Sequence, residues 1–110
     1  MLDKTRLQND LIELGANPFL KGFRCTVEAL DLIEKESGKA MKMMYLYAVV
    51  GKKTGDRGSN VERAIRHFFL KLRQNPKAVE VIGENGSNSE TLYLLYYKLK
   101  GEEEQCNTEE

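Results

Sequence analysis

At 110 residues, 41% hydrophobic and 31% charged, the chain is long enough to bury one core, too short for two, and too rich in apolar residues to be wholly disordered. Its longest apolar run, Met43 to Gly51, is far below the roughly 20 residues of a membrane span, and a start charged from its third residue predicts no signal peptide. The 17 basic and 17 acidic residues cancel, but five acids (Glu102, Glu103, Glu104, Glu109, Glu110) fall in the last nine positions, so residues 1–101 hold 17 bases against 12 acids.

Helical signals follow one another along the chain. Leu7, Leu11 and Leu14 form an i, i+4, i+7 stripe within Asp3 to Leu14, which Gly15 and Asn17-Pro18 should stop. A second helix is expected from about Phe23 to Glu36, with Val27, Leu30 and Ile33 inward. Ser37-Gly38 separates it from a third, about Lys39 to Lys53. Tyr45 to Val50 has strand-like residues, but the continuity from Lys39 and the short turn after it favour helix. A turn over Thr54 to Gly58 leads to a fourth helix, capped by Ser59 and running to about Arg73. Asn75-Pro76 starts a brief fifth over Lys77 to Val81. Asn88-Ser89 caps a sixth, about Glu90 to Lys100. The expected fold is a compact all-α domain of six helices over residues 1–101. Residues 102–110 form an acidic, disordered tail, which does not cancel a positive field beyond a Debye length of about 8 Å.

The fourth helix carries the most information. At about 100° per residue, Val61, Ile65, Phe68 and Leu72 share one stripe, flanked by Ala64 and Phe69. Arg63, Arg66 and His67 fall on the opposite side, with Ser59 at its start. Gly51 is a small residue where two steeply crossing helices would approach. Gly55 suits a left-handed turn between them. This is the spacing of a helix-turn-helix, although Thr54 is more polar than the usual inward residue. Such a helix fits the major groove, where an arginine can fork onto guanine. Lys52, Lys53 and Arg57 stand where they could meet phosphates. Seven bases against two acids lie between Lys52 and Arg73. Charge alone is explained by a solvated helix face; the turn spacing tips the balance towards DNA.

Other groupings carry less. Gly51-Lys52-Lys53-Thr54 fails as a phosphate loop, because Leu46 stands where its first glycine should be. The single histidine, His67, cannot build a metal cluster, and no catalytic set is visible, so no enzyme, metal or cofactor is expected. Glu62 either accepts from cytosine or favours the helix N-terminus. Met41, Met43 and Met44 suggest core packing, and Tyr93, Tyr96 and Tyr97 a half-buried helix face. Cys25 and Cys106 form no CxxC pair, which points to a reducing cytoplasm.

Val61-Glu62-Arg63-Ala64-Ile65-Arg66-His67 resembles the recognition-helix signature of the Spo0A C-terminal DNA-binding domain family. The similarity extends to Leu46-Tyr47 and Lys52-Lys53, to Glu13-Leu14-Gly15, Leu20-Lys21-Gly22-Phe23 and Glu28-Ala29-Leu30, and to Asn88-Ser89-Glu90 and Lys98-Leu99-Lys100, about residues 7–100. The resemblance implies a six-helix, helix-turn-helix regulator of transcription in sporulation, bound to double-stranded DNA as a dimer or tandem on short promoter boxes. It places Glu62, Arg63, Arg66 and His67 on the DNA-facing helix, with Ser59 at its start. Asn60 stands where the family commonly has arginine, and asparagine prefers adenine, which predicts a different box. The resemblance also implies contact with the RNA polymerase sigma subunit. The stretch from His67 to Asn88, linked to that contact, is shorter here, which argues against activation by that route. The resemblance covers an effector domain with no receiver domain among these residues, and the expectation is an excised or stand-alone effector domain, or control from elsewhere. A second reading keeps the fold but gives the outer helix a protein partner, as a module that antagonises or modulates a full-length regulator. The acidic tail and neutral total charge favour it.

Overall fold

The computed structural model describes residues 2–108, with side chains described through Glu102. Six helices follow in order: α1 Lys4–Glu13, α2 Lys21–Lys35, α3 Met43–Thr54, α4 Gly58–Leu72, α5 Pro76–Ile82 and α6 Asn88–Thr108. No strand occurs among the described residues, and Tyr45 to Val50 is helical. No helix there is long and apolar enough to cross a membrane.

α2 is the centre of the packing and touches α1, α3, α4 and α6. Gly22 lets it cross α4 closely: a Cβ there would stand 2.2 Å from the Ala64 carbonyl oxygen and 2.4 Å from Phe68 Cβ. Phe23 meets Phe68 edge-on, with centroids 6.1 Å apart. The α4 stripe is buried as its period predicts, from Val61 and Ile65 through Phe68, Phe69 and Leu72. Burial of these apolar side chains is the main stabilising term, on the order of 1.5–3 kcal/mol for each of the larger ones.

α2 also buries charge. Glu34 Oε2 accepts from the Leu2 backbone N–H at 2.6 Å, and Oε1 accepts from the Tyr96 hydroxyl at 2.9 Å. Lys100 reaches both oxygens at 3.2 Å. Burial pushes the Glu34 carboxyl up, but these hydrogen bonds more than offset it, and the group titrates below the usual glutamate range. One carboxylate thus ties the chain start and α6 to α2.

Boundaries of α3 and α6 differ from expectation. α3 begins at Met43, not Lys39, because Ser37 (φ 57°) and Gly38 (φ 77°) turn the chain. Tyr93 and Tyr97 then donate to the carbonyls of Lys39 and Gly38, and the Tyr93 hydroxyl accepts from the Met41 N–H. The α6 tyrosines therefore clasp the α2–α3 loop. The α6 cap is Ser87, whose hydroxyl accepts from the Glu90 N–H at 3.1 Å, while Glu90 Oε1 accepts from the Ser87 N–H at 3.2 Å. This reciprocal capping box displaces the expected Asn88-Ser89 cap. α6 continues to Thr108, past Lys100. The expected solvation of the 102–110 tail falls, from position 103 onward, on side chains outside the described residues.

Candidate nucleic-acid interface

α3 and α4 are joined by three residues, Gly55, Asp56 and Arg57. Gly55 is left-handed (φ 74°), as a tight helix exit requires, and the Gly51 carbonyl accepts from the Gly55 and Asp56 N–H groups, the latter at 2.8 Å. The expected inner small residue is Gly51, and the reason is local: its Cβ would lie 2.5 Å from the Asp56 carbonyl oxygen. At Gly58 the approach is looser: a Cβ would stand 3.5 Å from Tyr47 Cβ, an ordinary contact. Thr54 is half-buried and satisfies its hydroxyl by donating to the Val50 carbonyl at 3.0 Å.

The expected Ser59 cap is not found. α4 starts two residues earlier than such a cap would allow, at Gly58, with Arg57 at the cap position and no side-chain cap bond from it. Asp56 lies just ahead of the helix: its Oδ1 accepts from the Arg57 N–H and from Asn60 Nδ2, both at 2.8 Å, and its Oδ2 pairs with Lys21 of α2. An acid just before a helix N-terminus is also favoured by the macrodipole.

Arg63, Arg66 and His67 are exposed on the outer side of α4, with Ser59 and Asn60 exposed in its first turn and Arg57 beside it. Glu62 lies 3.5 Å from Arg66 one turn on. Its backbone carbonyl accepts from Asn88 Nδ2 at 3.1 Å, and the same nitrogen donates to the Tyr47 hydroxyl at 3.1 Å. Asn88 thereby fixes α3, α4 and α6 to one another behind the outer face. Burial pushes the Tyr47 phenol above its usual range.

The basic residues do not all converge. Lys52 and Lys53 are exposed at the end of α3, but Lys53 Nζ lies 3.9 Å from Glu28 of α2. Arg73 is turned to the interior side. It donates to the carbonyls of Gly83 (3.1 Å) and Ile82 (3.3 Å) and to the Thr91 hydroxyl (2.7 Å). Lys71 lines a separate cavity with Gly15, Ala16, Asn17 and Leu20. The exposed basic residues nearest the turn are Lys52 and Lys53 at the end of α3, Arg57 in the turn itself, and Arg63 and Arg66 near the middle of α4.

Met44 corrects the expectation of a core methionine: it is 86% exposed. Met43, Leu46, Tyr47 and Val50 take the inward i, i+3, i+4, i+7 positions of α3, which leaves Met44 and Ala48 on its outer flank. There they form, with Tyr47, Gly58, Ser59, Glu62, Arg63 and Arg66, a groove of ≈ 710 Å³ between the helices. The Met44/Ala48 spacing is the one sequence signal for this wall. The Asp56 and Asn88 links have none, since each joins elements through side-chain amides or carboxylates. No three His, Cys, Asp or Glu side chains converge for a metal among the described residues.

The family profile described as Sporulation initiation factor Spo0A C terminal matches residues 7–109. The chain belongs to the Spo0A C-terminal family. The six helices and the helix-turn-helix agree with that membership, and the family is one of DNA-binding regulatory domains in sporulation, not of enzymes. Comparison with curated proteins and with solved structures finds no match. Within the Spo0A C-terminal frame, the outward arginines of α4 belong to the second helix of the helix-turn-helix, the one that enters a major groove in such motifs.

Proposed function

We propose that this chain is a sequence-specific transcription regulator that reads a short promoter box with α4 in the major groove. The observation that carries the reading is the exposure of Arg63 and Arg66 on the outer side of a helix whose inner side is fully buried. Arg63, diametrically opposite the core stripe, is the residue best aimed at a guanine edge. Arg66, His67, Ser59 and Asn60 flank it, and Glu62 steadies Arg66. Lys52, Lys53 and Arg57 supply phosphate contacts that set register without reading sequence. Tandem or dimeric binding to repeated boxes, and action on DNA in the cytoplasm, extend the same reading.

Fluorescence-anisotropy titration against a selected duplex tests it. Arg63→Ala is expected to lose about 1–3 kcal/mol on that duplex and to relax preference at one base pair. Unchanged affinity would remove the assignment. The rival role, a protein partner on the same helix, is favoured by exposed Met44 and the apolar wall beside it. In that case no random duplex is enriched, and Met44→Glu abolishes binding to a purified full-length regulator.

A further inference from the structure

Asn60 is the exposed first-turn residue whose side chain the fold holds in place. Its Nδ2 donates to Asp56 Oδ1 at 2.8 Å. That carboxylate is anchored twice more, by the Arg57 N–H and by Lys21 from α2, and its side chain is only 15% exposed. A carboxylate accepts and never donates, so the amide must turn its NH2 towards Asp56. The sense of the amide is thereby set before any ligand arrives.

An amide nitrogen carries two hydrogens. One serves Asp56; when that is the hydrogen anti to the amide oxygen, the other shares an edge with that oxygen on an exposed side chain. Together they present a neighbouring donor and acceptor. Adenine offers the complement in the major groove, an N7 acceptor and an N6 donor, whereas guanine offers two acceptors and would set its O6 against the amide oxygen. On a helix of about 100° per residue, Asn60 stands about 60° round from Arg63 and one turn nearer the N-terminus, where the first turns of a groove-bound helix meet base edges.

We propose that Asn60 reads an adenine and that Asp56, braced by Lys21, is the positioning residue that fixes its amide for that base. This rests on the duplex-binding reading above. The pair sets one position of the box next to the one read by Arg63, and it confines the asparagine rotamer in advance, which lowers the ordering cost of binding.

Selection from a random duplex library with the full chain tests it, followed by titration of the enriched duplex carrying 7-deazaadenine, which lacks N7, at each adenine in turn. Wild type is expected to require adenine at one position and to lose about tenfold in affinity with 7-deazaadenine there. Asn60→Ala should lose that preference, and the N7 deletion should then have no further effect. Asp56→Ser keeps a short acceptor for the Arg57 N–H but cannot reach Asn60; it should flatten the same position while the Arg63 position is retained. Asp56→Asn keeps the acceptor and should retain the adenine. A box identical in wild type and Asn60→Ala overturns the inference and leaves duplex binding standing. Adenine lost in Asn60→Ala but kept in Asp56→Ser overturns the positioning role. Failure of wild type to enrich any box overturns the duplex reading itself.

Discussion

Gly51 and the carbonyl of Asp56 meet so closely that a methyl group on Gly51 would stand 2.5 Å from the oxygen. The contact sets how far α3 can stand from the turn, and through the turn where α4 begins. Gly51→Ala is expected to cost about 1–3 kcal/mol, because backbone must move to relieve the overlap. Gly55 has open space around it but a left-handed φ of 74°, so Gly55→Ala should cost only about 1–2 kcal/mol from backbone strain. Thermal or urea unfolding of the two variants measures both. A Gly51→Ala variant as stable as wild type would mean that the turn is not set by this contact.

Glu34 makes stability depend on acid pH. Its folded pKa is lowered by the bonds from Leu2, Tyr96 and Lys100, so the unfolded chain takes up the proton first as pH falls. The contribution is fully present above the ordinary glutamate range, about pH 4.3, and is lost as pH falls from there through the folded value. Glu34→Gln should lower stability at neutral pH by about 1–2 kcal/mol and flatten the acid limb. Urea midpoints for both chains at neutral pH and across the acid limb would reveal an unchanged slope if the carboxylate did not matter.

Arg73 should matter for folding and not for DNA. Its guanidinium closes the α5 end onto α6 through two carbonyls and the Thr91 hydroxyl. Arg73→Ala is expected to cost about 1.5–3 kcal/mol of stability, the range for hydrogen bonds to a charged group. Arg73→Lys should recover little, since one ammonium cannot reproduce the fork. At temperatures where the variants remain folded, their affinity for the selected duplex should equal wild type's; a specific loss would return Arg73 to the binding face.

Lys52 should act through charge alone. Lys52→Ala is expected to weaken selected and scrambled duplexes by the same factor and to reduce the slope of log affinity against log salt by about 0.9. Titrations at several salt concentrations give the slope. A loss confined to the selected duplex would instead make Lys52 a base reader.

The all-α class, the buried stripe of α4, its outward arginines and the left-handed Gly55 are all legible in the sequence, because each depends on residues within a few turns of one another. The 3.6-residue period orients a side chain relative to its own helix whatever lies beyond it. What period cannot supply is the partner. By position in the chain Arg73 is one more base of the cluster, yet the carbonyls of Ile82 and Gly83 claim it. Met44 has the composition of a core residue, yet its neighbours on α3 take the inward places. Ser59 and Asn88 are residue types suited to caps, yet α4 has no side-chain cap bond and Ser87 caps α6. The loop before α3 is held by tyrosines more than fifty residues away. Local periodicity thus determined which face of each helix is greasy, and tertiary contact decided where helices begin and which polar groups are left to meet a ligand, since a hydrogen bond or ion pair forms only between groups that the folded chain has already brought within reach.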